Sequence, residues 1–222
     1  MTLCDARSEH ILNVLHGEAG QTLKTGELDG FVGSAEIVSV RSEHPRSVTL
    51  KVHHACPSLQ PWFDLILAPP RPRVFKRLLP QLVQLGVGKI VLVGARKVEK
   101  DFWGATILQP ENHKPIVVDA LMQAGTAAVP EILIRRSLRK FVEEELDDMF
   151  PASERIVGHP GSADVTSLVP AGRPLVAIGP EGGWTDEEVA LLGSKNFALY
   201  SLGGRIFKTD TAAVALISRL MK

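Results

Sequence analysis

The segment Leu175-Val-Ala-Ile-Gly-Pro-Glu-Gly-Gly-Trp-Thr-Asp-Glu-Glu188 joins a short apolar run, a glycine-rich loop and a helix start. The apolar run predicts a buried strand, and Thr185 and Glu188 have the spacing of a capping box in the first turn of a helix. Parallel α/β sheets are built from such strand–loop–helix units, and they bind ligands at the carboxyl ends of their strands. The segment therefore predicts an α/β fold with a ligand-binding edge.

The same alternation of strand and helix runs through residues 64–221. Short apolar runs predict strands, and amphipathic segments between them predict helices. Continuous apolar strands between helices favour a mostly parallel sheet that is covered on both faces. The predicted strands are 64–68, 89–93, 132–134, 155–157, 175–178 and 198–202, and the predicted helices are 74–85, 115–124, 138–149, 186–192 and 211–221.

The N-terminal part of the chain has a different pattern. β-branched, nearly alternating runs at 31–38 and 47–52 predict strands of a compact β-barrel. Prolines between positions 57 and 72 mark the change from this pattern to the α/β pattern. We therefore expect a small domain of residues 1–60 and a larger domain of residues 61–222.

Composition excludes several classes of protein. The chain has 222 residues, of which 45% are hydrophobic, and its 25 Lys and Arg residues balance 25 Asp and Glu residues. A strongly basic protein that coats nucleic acid is excluded by this balance. No apolar run approaches the roughly 18 residues that span a bilayer, and no signal-peptide pattern begins the chain, so we expect a cytoplasmic protein without membrane contact. Two cysteines and the adjacent His53 and His54, which point to opposite faces of a strand, predict no metal site.

Charge is nevertheless uneven along the chain. Residues 64–100 contain eight basic and two acidic residues, a local excess of roughly +6. Two interpretations remain open for this basic segment. It can form a solvated helix face with loop lysines, or it can form a surface that faces the phosphates of a nucleic acid.

Three of the predicted strands end in glycine-rich loops. They are Gly158-His-Pro-Gly161, Ile178-Gly-Pro-Glu-Gly-Gly183 and Leu202-Gly-Gly-Arg205. Glycine allows positive φ angles and a close approach of the backbone to a ligand. One such loop is weak support for a site, because ordinary turns use the same residues, but three after apolar strands are more specific. The chain has no G-x-G-x-x-G or P-loop pattern, which argues against binding of nicotinamide or P-loop nucleotides.

Charged residues beside these loops are the candidates for chemistry. Arg205 and Lys208 have no structural role visible in the sequence, so we expect them to contact a phosphate or another anion. Thr209 or Asp210 can cap the helix that follows. Glu181 lies between glycine turns, where it can either shape the loop or belong to the site.

The second and third loops, together with the residues that follow them, resemble a known family. The segments Ile178-Gly-Pro-Glu-Gly-Gly-Trp-Thr-Asp-Glu-Glu-Val189 and Leu202-Gly-Gly-Arg-Ile-Phe-Lys-Thr-Asp-Thr-Ala-Ala213 are similar to two motifs of the ribosomal RNA small subunit methyltransferase E family. This family belongs to the SPOUT class of methyltransferases that use S-adenosylmethionine. Further similarity at Leu85-Gly-Val87, at Gln123 and at Val129-Pro-Glu-Ile132 extends the resemblance over nearly the whole chain.

The resemblance implies a particular α/β fold and a particular reaction. A small PUA-like β-barrel that binds RNA would precede a SPOUT domain with a trefoil knot, which is a rare exception to the rule that chains are not threaded. The family acts as a homodimer on the ribosomal RNA of the small ribosomal subunit. It methylates N3 of a uridine in 16S ribosomal RNA, with S-adenosylmethionine as the cofactor.

The resemblance also implies roles for individual residues. Arg205 would stabilise negative charge that develops on the uracil, while Asp210 or Glu181 would position the base or accept its proton. The cofactor would lie against the loops 158–161, 178–183 and 202–206. The residues expected to contact the cofactor are Gly158, His159, Ile178, Gly179, Pro180, Gly182, Gly183, Leu202, Gly203, Ile206 and Thr211. The residues expected to contact RNA are Arg71, Arg73, Lys76 and Lys208.

The sequence departs from the family pattern at positions that would lie near RNA. Gln81 and Gln84 replace a lysine and a glutamate, and Thr126 replaces an arginine. Three further substitutions lie in the last motif, namely Gly204 for proline, Lys208 for arginine and Asp210 for glutamate. Three alternatives therefore remain open: an RNA-binding protein of this fold without activity, a methyltransferase of another RNA, and a small-molecule enzyme that binds a phosphate.

Overall fold

A computed structural model describes residues 1–151, 153–160 and 170–221 of the chain. The chain divides into two compact units, and the first consists of Met1–Leu59 together with Gly125–Ala128. The second unit consists of Gln60–Ala124 and the residues from Val129 onward. The first unit contains β1 (Thr2–Leu3), α1 (Ala6–Asn13), β2 (Thr22–Gly26), β3 (Phe31–Arg41) and β4 (Ser47–Pro57).

The first unit is built on an antiparallel sheet with the strand order β1-β4-β3-β2. Its apolar core combines the first helix with the inner face of the sheet and consists of Leu3, Ile11, Ala35, Ile37, Val48 and Leu50. A close approach of two strands requires glycine at position 33, because a Cβ there would lie 2.1 Å from the carbonyl oxygen of His53. Among the described residues this sheet is open, and no closed barrel is formed.

Residues 125–128 join the first unit through hydrogen bonds of Ala127. Its N–H donates to the Ser58 hydroxyl over 2.8 Å. Its carbonyl oxygen accepts from the backbone N–H of Asp29 over 2.7 Å. The Ser58 hydroxyl also lies 2.8 Å from that of Thr126. No feature of the sequence indicated that this distant segment belongs to the first unit.

The second unit is an α/β layer structure. Its strands are β5 (Phe63–Leu67), β6 (Val87–Val93), β7 (Glu131–Arg135), β8 (Arg155–Gly158), β9 (Leu175–Ile178) and β10 (Ala198–Tyr200). Its helices are α2 (Pro72–Gln84), α3 (Pro110–Ala124), α4 (Leu138–Glu144), α5 (Leu146–Met149), α6 (Asp186–Ser194) and α7 (Thr209–Leu220), and two short 3-10 helices span Lys100–Gly104 and Thr106–Leu108. The strand order is β10-β8-β9-β5-β6-β7, and every pair of neighbours is parallel, as the sequence predicts.

Both faces of this sheet are buried, which confirms the prediction from its continuous apolar strands. Leu65 and Leu67 of β5 point into a core formed with α2, α3 and α7, and Ile66 between them points into a second core formed with α4, α5 and α6. Alternate residues of one strand therefore pack against the helices on opposite faces of the sheet, since successive side chains of a strand point to opposite faces.

An ion pair between a buried carboxylate and an exposed arginine lies where β5 and β9 begin. The carboxylate of Asp64, which is almost fully buried, accepts from the backbone N–H of Lys89 over 2.7 Å and from Nη2 of Arg173 over 2.5 Å. Gly88 leaves room for this guanidinium group, because a Cβ at position 88 would lie 1.7 Å from Nη2 of Arg173. The pair joins the start of β5 to the segment that leads into β9.

Several predicted boundaries were wrong. The single helix predicted over 138–149 is two helices, because Glu145 leaves the helical conformation and accepts two hydrogen bonds from Nε of Arg135 at 2.7 and 2.8 Å. Helix α7 begins at Thr209 rather than at Thr211, and its N-cap is Lys208 without a side-chain cap, so neither Thr209 nor Asp210 caps it. No helix among the described residues has both the length and the apolar character needed to cross a membrane.

Candidate functional site

The three glycine-rich loops lie side by side. Strands β10, β8 and β9 are consecutive in the sheet and parallel, so the loops that follow them leave the same edge. The N–H of His159 donates to the carbonyl oxygen of Tyr200 over 2.9 Å, which ties the first loop to the end of β10. The prediction of a shared edge is confirmed for the described part of these loops, and Gly161 lies outside the described residues.

The loop after β9 begins with buried residues and then forms a compact turn. Ile178 and Pro180 are buried, and the N–H of Gly183 donates to the carbonyl oxygen of Pro180 over 2.8 Å. Gly183 has a φ of +70°, a conformation that glycine adopts without steric cost. Glu181 is exposed at the tip of this turn. The capping box predicted for the next helix is present, since Thr185 and Glu188 exchange both hydrogen bonds.

The glycines of these loops serve different purposes. A Cβ at Gly179 would lie 3.1 Å from Nε1 of Trp184, and a Cβ at Gly158 would lie 3.1 Å from Leu216, so a side chain at either position would press on a neighbouring side chain. Gly183 and Gly203 have positive φ angles and open space where a Cβ would lie. Gly183 and Gly203 therefore leave backbone accessible to a ligand. Gly158 and Gly179 do not indicate such access by themselves.

The loop between β10 and α7 is the most exposed part of this edge. Arg205, Ile206 and Lys208 are all exposed, and Ile206 is 86% exposed despite its apolar side chain. Arg205 and Lys208 form no ion pair with a described residue, and their contact with an anion stays a prediction. Leu202 and Gly203 are half-buried at the base of the loop, and Thr211 is exposed in the first turn of α7.

Asp210 in the first turn of α7 pairs with a cation from α2. Its Oδ2 accepts from Nη2 of Arg77 over 2.6 Å, and its Oδ1 accepts from the N–H of Thr211 over 2.9 Å. Burial alone would raise the pKa of Asp210, but these two hydrogen bonds outweigh burial and hold the pKa below its ordinary value. The carboxylate is therefore ionised and partnered, which makes it a weak proton acceptor.

The basic segment 64–100 is less positive than its residue count indicates. Arg77 and Lys89 pair with Asp210 and Glu131 from outside the segment, and Arg71 pairs with Glu99, one of the two acids already in the count. The hydrogen bond to Glu99 and the nearby charge of Glu181 raise the pKa of Arg71. Arg73 and Lys76 are exposed on α2 without an ion pair to a described residue. On α2, the exposed positive charge without an ion pair to a described residue is therefore carried by Arg73 and Lys76.

Two of the departures from the family pattern now have local explanations. Thr126 lies in the first unit, where its hydroxyl meets that of Ser58. Gln81 is exposed on α2, and Arg77 precedes it by four residues, which places the two on the same face of the helix. Arg77 places a guanidinium group on this face of α2, where it is paired with Asp210. Nothing in the structure explains Gln84.

Two residues that the sequence interpretation did not assign hold the loop after β9. Nζ of Lys97 donates to the carbonyl oxygen of Gly182 over 2.8 Å, and Oγ1 of Thr209 donates to the carbonyl oxygen of Gly179 over 3.3 Å. The contacts join residues that are 85 and 30 positions apart. No local pattern could have identified them, because contacts between separate elements leave no periodic signal in one sequence.

The loop edge fits a cofactor that is bound mainly through backbone groups. Gly183 and Gly203 have open space where a Cβ would lie, and the buried indole N–H of Trp184, behind Gly179, is the one buried side-chain polar atom without a partner in the described chain. A cavity of about 660 Å³ lies beside this edge and contains none of the residues predicted to contact the cofactor. The described residues form no group of three or more metal-ligating side chains.

Comparisons with known proteins agree on one family. A sequence model of the RNA methyltransferase domain matches residues 58–221. Ribosomal RNA small subunit methyltransferase E from Treponema pallidum is 30% identical over 215 residues, which cover 95% of this chain and 80% of that relative. Ribosomal RNA small subunit methyltransferase E 1 from Borreliella burgdorferi is 22% identical, over 97% of this chain and 89% of that relative.

The fold agrees with solved structures. The crystal structure of ribosomal RNA small subunit methyltransferase E from Neisseria gonorrhoeae, bound to S-adenosyl methionine, superposes with a TM-score of 0.80 at 22% sequence identity. The match covers 98% of this chain and 89% of that one. The family model matches residues 58–221, which is more than half of the chain. The chain therefore belongs to the RNA methyltransferase family that includes ribosomal RNA small subunit methyltransferase E.

Proposed function

We propose that this protein transfers a methyl group from S-adenosylmethionine to N3 of a uridine in 16S ribosomal RNA. The observation that carries the proposal is the meeting of three glycine-rich loops at one edge of a parallel sheet. Membership of the RNA methyltransferase family supports the reaction class. The names of the relatives support ribosomal RNA of the small subunit as the substrate.

The proposed cofactor site uses the described parts of the three loops. Open backbone at Gly183 and Gly203 supports close contact with the adenosine and methionine parts of the cofactor. Buried Ile178 and Pro180 and half-buried Leu202 supply apolar surface beside that backbone. When bound beside these loops, the cofactor would supply an electrophilic methyl group to N3 of the base.

The proposed chemistry of the chain itself is charge stabilisation and proton acceptance. A uridine must lose the proton on N3, so the base has to be unpaired or flipped before the reaction. Arg205, exposed and without a described ion pair, is proposed to stabilise the negative charge on the uracil oxygens. Of the two candidate proton acceptors we favour Glu181 over Asp210, because the hydrogen bonds of Asp210 lower its pKa.

RNA contacts are proposed for each unit by itself. Arg73, Lys76 and Lys208 are exposed cations on the second unit, and each would contact a phosphate. We propose that the first unit, which corresponds to the expected domain of residues 1–60, acts as a PUA-like RNA-binding domain. For the second unit, which corresponds to the expected domain of residues 61–222, we propose the knotted SPOUT topology. We also propose that the protein forms a homodimer, and the family resemblance implies both. The proposed substrate is assembled in the cytoplasm, where the protein would act.

Calorimetry with S-adenosylmethionine tests the cofactor. We expect saturable binding with one site per chain, and absence of binding at saturating cofactor would refute the methyltransferase assignment in favour of an inactive RNA-binding protein. Mass mapping of 16S ribosomal RNA from a deletion strain tests the substrate. One uridine should lack its methyl group there and regain it when the gene is restored.

The variant Arg205→Ala separates chemistry from cofactor binding. We expect methyl transfer to be lost while the dissociation constant for S-adenosylmethionine stays the same, because the guanidinium acts on the base. Arg136→Ala is the matched control, since Arg136 is also exposed and lies after β7, at the far side of the sheet from β10. Equal loss of transfer and cofactor affinity in Arg205→Ala would show that its role is misassigned.

A further inference from the structure

We infer that Lys97 and Thr209 are positioning residues that hold the loop Gly179–Gly182 in the conformation that binds the cofactor. The inference rests on the proposed function, and it assigns a role that the sequence analysis gave to neither residue. Both side chains come from other elements and donate to the carbonyl oxygens of the glycines at the two ends of this loop.

Thr209 holds the first end from within the protein. It begins α7 and is only 4% exposed, and its Oγ1 donates to the carbonyl oxygen of Gly179 over 3.3 Å. The hydrogen bond fixes the direction of the peptide group between Gly179 and Pro180. Because α7 follows directly on the loop that carries Arg205, the same contact sets the distance between two of the proposed cofactor loops.

Lys97 holds the second end from the outside. It lies in the segment after β6, and its Nζ donates to the carbonyl oxygen of Gly182 over 2.8 Å. Its stem crosses the loop so closely that a Cβ at Gly182 would lie 2.9 Å from Cδ of Lys97. The neighbouring N–H of Arg96 donates to Glu188 over 2.8 Å, so this segment is itself anchored to the start of α6.

Together the two contacts leave Pro180 and Glu181 little freedom. The turn is closed internally by the hydrogen bond from Gly183 to Pro180, and its two flanking carbonyl groups are held from opposite ends. A loop that is ordered before binding loses less conformational entropy when a ligand arrives. The backbone of Glu181, the proposed proton acceptor, is thereby held in one position, which limits the region that its carboxylate can reach.

The test uses two isosteric variants and measures the protein with and without S-adenosylmethionine. Lys97→Met keeps the stem and removes the ammonium, and Thr209→Val keeps the shape and removes the hydroxyl. Each variant should raise the dissociation constant for S-adenosylmethionine about two- to tenfold in calorimetry, because each removes one hydrogen bond. Thr209→Ser keeps the hydroxyl, so its dissociation constant should return to that of the unmodified protein. Lys100→Met, which removes an exposed lysine without a described partner three residues away, should leave it unchanged.

Amide hydrogen exchange at Gly183, measured without cofactor, separates this inference from the proposed function. Exchange should be faster in Lys97→Met and Thr209→Val than in the unmodified protein and in Lys100→Met. Partial misfolding would lower the number of binding sites, whereas a displaced loop raises the dissociation constant at constant stoichiometry. Unchanged exchange and unchanged affinity in Lys97→Met, which alters only a surface side chain, would overturn the inference. Absence of cofactor binding by the unmodified protein would instead refute the proposed function.

Discussion

The ion pair between Arg77 and Asp210 should make the stability of the second unit depend on pH in a predictable direction. The pKa of Asp210 is lower in the folded protein than its ordinary value of 3.8. A carboxyl group of this kind stabilises the fold above its unfolded-state pKa and loses that contribution as the pH falls through its folded-state pKa. The variant Asp210→Asn cannot titrate, so it should lack this dependence.

The magnitude follows from the exposure of the two partners. The Asp210 side chain is 14% exposed, but that of Arg77 is 67% exposed, so solvent weakens the attraction. A hydrogen bond to a charged group contributes about 1.5–3 kcal/mol at best, and a carboxylate in the first turn of a helix adds about 0.3–1 kcal/mol. We expect Asp210→Asn to lose about 1–2 kcal/mol at neutral pH, after allowance for exposure. The loss should shrink as the pH falls from about 5 to about 3.

Urea unfolding followed by tryptophan fluorescence is the suitable assay. All three tryptophans, Trp62, Trp103 and Trp184, lie in the second unit, so the signal reports that unit alone. Asp148→Asn is the matched control, since Asp148 is exposed and has no ion pair with a described residue. A destabilisation of Asp210→Asn that is the same at every pH, or an equal destabilisation of Asp148→Asn, would refute the reasoning.

Three further changes have expected outcomes. Gly94→Ala should destabilise the protein by at least about 2 kcal/mol in urea unfolding, because its Cβ would lie 2.1 Å from the carbonyl oxygen of Arg136. Asp64→Ala should cost about 3 kcal/mol in the same assay, since Arg173 and a backbone N–H lose their acceptor, and a loss below about 1 kcal/mol would contradict this. Arg73→Ala should reduce the slope of log K for RNA against log salt concentration by about 0.7–0.9 if Arg73 contacts one phosphate, whereas an unchanged slope would exclude that contact.

Local sequence patterns predicted the elements of the second unit better than their arrangement. Apolar runs located the strands because β5, β6 and β9 are buried on both faces. The break between α4 and α5 could not be predicted, since it accompanies the hydrogen bonds from Arg135 to Glu145 across two elements. The position of β9 between β8 and β5 likewise depends on long-range pairing, which one sequence does not reveal.

The candidate site was predictable to the extent that its signals are local. Glycines that follow apolar strands identified the three loops, and the sheet order then brought those loops together. The partners of the loops were missed because Arg77, Lys97 and Thr209 act across 133, 85 and 30 residues of sequence. For the same reason the charge count over 64–100 overstated the free positive charge, since acids from other elements neutralise part of it.

The membership of Gly125–Ala128 in the first unit limits how the two units could be inherited or engineered separately. The chain leaves the first unit at Leu59, returns at Gly125 and leaves again after Ala128. A single recombination event at residue 59 would transfer the second unit with a segment whose hydrogen-bond partners, Asp29 and Ser58, remain behind. The units are therefore not independent modules, and a functional chimaera must exchange residues 125–128 together with residues 1–59.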